Sequence, residues 1–399
     1  MNKETKPKLL VIPHVSTDDI KIRTIEFARK LTLDFDVYCL QWKDMIHADD
    51  PSVFKKRIKR LFYGLASIFQ PFCTKKKSDG IIYIKAPYFQ PLLLEKLLGV
   101  KTAWYLSRTF NSFILGIVCC LFKIDSILLS SLNFYLNTVQ NLRKCFDMFD
   151  WFDEKSIPQK VLEDNLRHLS YLYQNVDKFF VVSGALSEKL KAEYNIEPVP
   201  IPNGVDLKLF YSVRRESITA VRKRWGLENK FVIGYIGNHG PYTGIDFVLK
   251  MFKELYRQMN DAVLFIVGPT DCWNKVIAKA DLTNVVLTGL VDPKEMPAYF
   301  HAIDLGILAQ EKSPGTEFAF QIKMAEYTAC KKFVISTPLL VWKQLKWPNI
   351  ILAEQNADEW INAIKQARNS KWQKEWDDIV IPYDWSVLSK KMAGYLNPK

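Results

Sequence analysis

Residues 231–252 read FVIGYIGNHGPYTGIDFVLKMF. The first six form an apolar run of strand length. Gly237, Asn238, His239, Gly240, Pro241, Tyr242, Thr243 and Gly244 then make a turn, and Ile245, Val248, Leu249 and Phe252 fall on one helical face. A buried strand, a glycine-rich turn and an amphipathic helix in direct succession predict a unit of a parallel sheet. Such a turn lets a ligand approach the backbone, and the free N–H groups of the helix start can hold phosphate oxygens. The residues do not spell GxGxxG, and a merely tight turn fits them equally.

Working outward, the same alternation recurs on both sides. Val263–Val267, Val285–Thr288, Leu305–Leu308 and Phe333–Ser336 are short apolar runs, mostly separated by stretches of helical length. Upstream, Leu9–Ile12, Asp36–Leu40, Ile81–Ile84, Ser126–Ser130 and Lys178–Val182 read as strands. Helical patterns at Ile20–Leu33, Leu92–Leu98, Glu163–Gln174 and Gly184–Glu193 alternate with them. Between Asn195 and Lys230 the alternation stops at Pro198, Pro200, Pro202, the Asn203-Gly204 turn and the charged stretch Arg214–Arg224. Two α/β domains are predicted, 1–205 and 206–375, followed by a closing segment 376–399.

The chain has 399 residues and 46.4 kDa, with 48% hydrophobic and 25% charged residues, which excludes a mainly disordered protein. The net charge of +12 is concentrated: eight Lys or Arg and no acid lie between Lys55 and Lys77. Within 53–69 the apolar residues Phe54, Ile58, Leu61, Phe62, Leu65, Ile68 and Phe69 make a helical stripe. A basic amphipathic helix of this kind suits an anionic membrane surface, and 53–77 is expected to contact one; simple packing on the domain is the alternative. Nucleic acid is not expected, because no recognition motif accompanies the charge. Seven scattered cysteines without a CxxC pair or a nearby His cluster point away from disulfides and zinc. The N-terminus lacks a signal-peptide run, and the longest apolar run, Phe113–Phe122, is far short of a bilayer span. A cytoplasmic protein, peripheral on the inner face of the membrane, is expected.

A second constellation lies in GTEFAFQIKMAEYTACKKFVIST, which holds Glu317, Lys323 and Glu326. If 320–329 is helical, Lys323 and Glu326 share a face. A carboxylate can accept both hydroxyls of a vicinal diol such as a ribose, and a lysine one turn earlier can reach a phosphate. An exposed intrahelical ion pair is the plainer reading of the same spacing.

In order, VVSGALSEKL, VPIPNGVDLKLF, FVIGYIGN…TGIDFVLKMF, VLFIVGP, NVVLTGLV, MPAYFHAIDLGILAQ and KMAEYTACKKFVIST resemble the C-terminal half of glycosyltransferase family 4. The resemblance covers about 178–336. CFDMFDWFDE is similar to a stretch of bacterial polysaccharide-type members, and IPYDWSVLSKKMAGYL to the family's closing helix. The resemblance implies a GT-B fold, with two Rossmann-like domains facing a cleft and a C-terminal helix crossing back to the N-terminal domain. It further implies an acceptor-binding domain 1–205, a nucleotide-sugar-binding domain 206–375, retention of configuration and no metal or other cofactor. The substrates would be a nucleotide-diphosphate sugar and a saccharide acceptor, lipid-linked, in bacterial surface polysaccharide assembly.

Carried over residue by residue, the resemblance makes Glu326 the ribose-binding second acid of the family's Glu-x7-Glu motif. Position 318 is Phe, so the first acid is displaced to Glu317. The family's Gly-Arg…Lys-Gly turn falls on Gly237-Asn238 and Thr243-Gly244, with both basic residues missing. Lys323, His239 and the helix start at Gly244 are the candidates to replace that charge, since a departing diphosphate needs donors or cations. Lys323-Met324-Ala325-Glu326-Tyr327 is similar to a branch of the family with Lys-Leu-x-Glu-Tyr. Glu317, Lys323 and Asp150 are thus the catalytic candidates, with Asp147 and Asp153 beside Asp150. Gly237, Asn238, His239, Thr243, Gly244, Lys323 and Glu326 are the donor-binding candidates, and His14 and Arg23 the acceptor or cleft residues. Asn203 is read as a turn cap. Rival readings are a GT-B nucleotide-sugar epimerase and a catalytically inactive GT-B binding module.

Overall fold

The computed structural model describes residues 6–14, 23–41, 68, 71–76, 79–89, 95–152 and 157–398. The predicted stripe 53–69, apart from Ile68, lies outside the described residues, as does Asp153. The chain divides into two units: Met1–Val182, Leu186–Ile201 and Leu388–Lys399 form the first, and Ser183–Ala185 with Pro202–Val387 the second.

The first unit is built on β1 (Lys8–Ile12), β2 (Asp36–Gln41), β3 (Cys73–Lys76), β4 (Ile82–Lys85), β5 (Ser126–Leu129), β6 (Arg143–Met148), β7 (Lys178–Val181) and β8 (Val199–Pro200). Their order is β3-β4-β2-β1-β5-β6-β7-β8, parallel except for β3 against β4. Chain order therefore reverses between β1 and β5, where a crevice opens beyond the strand ends. Leu9, Leu10, Val11 and Ile12 are fully buried, as expected of a central parallel strand covered on both faces. Three strands of this unit escape a search for apolar runs: β8 is two residues long and lies in the proline-rich break. β6 (RKCFDM) carries charges at and inside its ends. β3 (CTKK) is a basic antiparallel edge strand, so Lys75 of the basic run sits on a sheet edge, where lysine discourages further pairing.

A 23-residue helix, Val100–Phe122, was also not legible as one element, because polar residues interrupt its apolar run. By length and composition it is apolar enough to cross a membrane, with 44% of its most apolar window buried. Its polar residues are bound to its own unit: Ser107 Oγ donates to Phe89 O at 2.6 Å, and Ser112 Oγ accepts from Tyr135 N at 2.7 Å. The C-terminal helix Trp385–Leu396 is tied to the first unit at its end, where Ser126 Oγ donates to Leu396 O and Arg143 Nε to Tyr395 O.

The second unit holds β9 (Phe231–Ile236), β10 (Ala262–Val267), β11 (Val285–Leu287), β12 (Leu305–Leu308), β13 (Phe333–Ser336) and β14 (Ile350–Leu352). All are parallel in the order β11-β10-β9-β12-β13-β14, so chain order reverses between β9 and β12. All six residues of β10 are buried. The charged stretch read as part of the break is helical at Arg215–Arg224. Arg222 from that helix pairs with Asp304 and donates to Lys230 O, which fastens it to the unit.

Candidate active site

In the second unit the site is built at the reversal between β9 and β12. β12 pairs with β9 only at Leu305 and Gly306, which leaves the end of β9 needing other partners. Tyr327 supplies them. Its hydroxyl donates to Gly234 O and accepts from Ile236 N, both at 3.0 Å. Gly306 leaves the room: a Cβ there would lie 2.7 Å from the Tyr327 ring. The helix Ile322–Ala329 is thereby held against the strand end, with Lys323 and Glu326 one turn apart on one face.

Lys323 closes on the turn that follows β9. Its Nζ donates to Asn238 O at 3.3 Å and lies 5.9 Å from the Tyr235 ring. Gly237 has φ +124°, and its missing side chain is what leaves space for the lysine stem. Burial lowers the Lys323 pKa to about 8 while Glu326 raises it, so the amine is mostly protonated at neutral pH. This is a cation at the strand-to-helix turn, where the basic pair suggested by the family pattern is missing.

The turn's own side chains divide into inward and outward. His239 is 1% exposed; its ring lies edge-on to Tyr235, and Nε2 faces Val267 O at 3.2 Å. Burial, aided by Lys323, pushes its pKa down to about 3. His239 is therefore neutral and internal, which removes it as a replacement cation. Thr243 is also turned inward, with Oγ1 donating to Gly240 O at 2.7 Å and its carbonyl taken by Tyr235 Oη. Asn238 is exposed. Gly244 adopts φ +65° at the start of the helix Ile245–Gln258, and a Cβ there would strike Ala309 O. The candidate ligand-binding groups here are the first N–H groups of that helix, Asn238, Lys323 and Glu326.

Glu317 sits in the short helix Pro314–Phe318 and accepts from Leu340 N at 2.7 Å, capping the helix Leu340–Leu345. Its Oε2 is engaged in structure, which gives the displaced acid a task other than catalysis. Asn203 Nδ2 donates to Phe320 O at 2.6 Å, tying down its own loop.

In the first unit a cavity of about 300 Å³ opens beyond β1, β5 and β6. His14, Trp104, Ser130, Asn133, Asp150 and Trp151 are among its walls. Arg23 does not line it. Its guanidinium grips Asp147 through Nε at 2.9 Å and Nη2 at 2.8 Å and also donates to Ile201 O. Both partners are buried, so Arg23 is a core ion pair rather than a cleft residue. Its charge is still felt by Asp150, an exposed residue of the cavity wall. Desolvation pushes the Asp150 pKa up to about 7, against the pull of Arg23. His14 lies against Phe149, tilted 30° at 3.9 Å between centroids, and burial lowers its pKa to about 4, outweighing the opposing pull of Asp147. It is neutral at pH 7. Among the described residues no three His, Cys, Asp or Glu gather as a metal site.

Sequence reasoning missed Tyr327, Tyr235, Trp104 and the Ser130–Asn133 wall. Only Tyr327 carried a signal, as the last residue of the KMAEY stretch.

Residues 230–369 match the family described as Glycosyl transferases group 1. TuaH of Bacillus subtilis (strain 168), whose assigned role is teichuronic acid biosynthesis glycosyltransferase, is 28% identical over 234 residues. That alignment covers 56% of this chain and 54% of TuaH, so the chain spans about half the length of the curated relative it matches. Among solved structures, a glycosyltransferase from Rickettsia africae ESF-5 superposes with a TM-score of 0.69 at 16% identity, covering 98% of each chain. Anabaena HepE, solved in complex with UDP and glucose, superposes with a TM-score of 0.66 at 15% identity, over 98% of this chain and 99% of its own. At such identities the likeness shows the fold, which is that of the GT-B glycosyltransferases.

Proposed function

We propose that this protein is a retaining glycosyltransferase that moves a sugar from a nucleotide-diphosphate donor to a lipid-linked saccharide acceptor, in bacterial surface polysaccharide assembly at the cytoplasmic face of the membrane. The observation that carries the reading is Lys323 held against the Gly237–Asn238 turn with Glu326 one turn away. The diphosphate would lie on the N–H groups at the start of Ile245–Gln258, with Lys323 stabilising the leaving charge. Glu326 would accept the ribose hydroxyls. In the first unit, the acceptor would enter the cavity bearing Asp150 and Trp151, a carboxylate and an aromatic face. Asp150, when ionised, is suited to orient the acceptor hydroxyl by accepting its hydrogen bond. In a retaining transfer the acceptor attacks from the face that the diphosphate leaves, and the departing phosphate takes the proton. No metal or other cofactor is required by this scheme.

Relatives support the reading at family level: a group 1 glycosyltransferase match and a TuaH likeness. The test is nucleoside-diphosphate release from a panel of UDP-, GDP- and ADP-sugars, with wild type and Glu326→Ala compared. Release from one donor that is lost in the variant supports the assignment. Silence with every donor, and no donor binding by calorimetry, overturns it and favours an inactive binding module.

A further inference from the structure

On the first unit a groove of about 490 Å³, separate from the cavity beyond β1, runs between two helices. One wall is the face of Val100–Phe122 bearing Lys101, Tyr105 and Arg108; the other is the face of Gln159–Asn175 bearing Asp164, Arg167 and Tyr171. Each set repeats at three- and four-residue steps, so each is a single helical stripe. Three cations face one acid, which leaves the groove with a net positive charge because His168 is buried and neutral. Arg108 is 3% exposed and pairs with Asp164 at 2.8 Å, while its Nη2 is buried without a hydrogen-bond partner. The aromatic floor is tightly connected: Tyr135 meets His168 and Tyr171 edge-on at 5.2 and 5.1 Å.

The groove adjoins an apolar surface on the same helix. Tyr105, Leu106, Phe113 and Leu121 are all exposed, at 56%, 40%, 61% and 64%, and at 100° per residue they fall within one arc of the helix. From Tyr105 to Leu121 the stripe is about 24 Å long at 1.5 Å per residue. Val100–Phe122 contains no acidic residue. Tyr105 belongs to both features, so a cationic, aromatic groove opens directly onto an apolar strip. An anionic head joined to an apolar tail matches both parts at once. A soluble anion leaves the strip uncovered, and an apolar protein partner leaves the cations unmatched.

We propose that Val100–Phe122 lies in the membrane interface, its apolar stripe against acyl chains and the Lys101–Arg108–Arg167 groove holding the phosphate headgroup of a membrane lipid. This adds a membrane contact through Val100–Phe122 to the function proposed above, and relies on that function only in taking a lipid as the occupant. The opposite face of the helix, hydrogen-bonded to its own unit through Ser107 and Ser112, keeps it lying along the surface rather than across it.

The test is co-sedimentation with vesicles of phosphatidylcholine alone and of phosphatidylcholine mixed equally with phosphatidylglycerol, alongside calorimetry with glycerol 1-phosphate. Two paired variants are compared with wild type, Lys101→Ala/Arg167→Ala and Phe113→Ser/Leu121→Ser. Arg167, Phe113 and Leu121 are well exposed and Lys101 lies on the open face, so unchanged circular dichroism and melting are the fold control. The wild type is expected to bind the anionic vesicles, and loss of two cations to weaken that binding about 30-fold. The serine pair should weaken it by at least 10-fold. Wild-type binding that neither pair alters overturns the inference while leaving membrane contact through 53–77 standing. Sensitivity to the cations alone, or binding of glycerol 1-phosphate without vesicle binding, overturns the lipid and leaves a soluble phosphate site. No vesicle binding at all overturns both membrane contacts, and nucleoside-diphosphate release onto a soluble acceptor then decides the transferase reading separately.

Discussion

Gly237→Ala should weaken donor binding through Lys323. Gly237 holds φ +124°, where an L side chain is strained, and its new Cβ would run into Lys323 Cε, with Nζ at 2.7 Å and Cδ at 3.1 Å. Those atoms are the far end of a flexible chain, so the lysine moves aside. Two separable costs follow. Backbone strain of about 1–3 kcal/mol falls on stability and persists whatever side chain occupies position 323. The displaced ammonium removes a charge-assisted contact with the diphosphate, worth about 1.5–3 kcal/mol, or roughly 10- to 150-fold in Kd. That second loss arises only where Lys323 is present. The assay is a double-mutant cycle, with Kd for the tightest-binding nucleoside diphosphate measured on wild type, Gly237→Ala, Lys323→Ala and the double variant. Melting curves are recorded in parallel. The double variant should bind about as weakly as Lys323→Ala alone, giving a coupling energy of about 1.5–3 kcal/mol. Additive losses, or a Gly237→Ala protein that melts early yet binds normally, would refute the role assigned to Lys323.

Other consequences are as direct. Arg23→Ala leaves Asp147 buried and unpaired and should cost about 3–5 kcal/mol, most of it restored in Arg23→Met/Asp147→Leu; equal melting of all three proteins would refute the ion-pair reading. His168 and His239 are 3% and 1% exposed, and burial pushes both pKa values down to about 3. Their unfolded forms take up protons below pH 6.5 and their folded forms do not. Stability is therefore retained above that pH and lost as pH falls, by about 1.4 kcal/mol per histidine at about pH 5.5. Denaturant midpoints at about pH 7.5 and 5.5, with and without His239→Asn, measure it. Desolvation raises the Asp150 pKa to about 7, so the transfer rate should rise as pH climbs through that value in wild type and not in Asp150→Asn. Glu317→Ala should lower stability by about 1 kcal/mol as a lost cap while keeping the maximal transfer rate; a collapse in rate without destabilisation would return Glu317 to the chemistry.

Much of the fold was legible because parallel strands buried on both faces are short apolar runs. β1, β5, β9, β10, β12 and β13 all announce themselves this way. Among the elements missed, β3 lies on a sheet edge, β6 carries charged residues in register, the Val100–Phe122 helix has a partly polar buried face, and β8 and β14 are only two and three residues long. At the site, the spacing of Lys323 and Glu326 was enough to place them on one face. It could not show that the face is turned to the strand end, because that follows from Tyr327 bonding to Gly234 and Ile236, some ninety residues away in sequence.

The same division holds across the molecule. Period, turn chemistry and glycine positions are properties of neighbours in the chain, and they determined by themselves the strand–turn–helix units and the turn at Gly237–Gly244. Which charged groups are available for chemistry is a property of what the folded chain brings beside them. Only the tertiary structure turned His239 inward as a neutral ring, locked Arg23 onto Asp147, used Glu317 to cap a helix and left Lys323 and Asp150 with displaced proton affinities. The reason is physical: desolvation and ion pairing depend on distance and burial, and neither is encoded in local spacing.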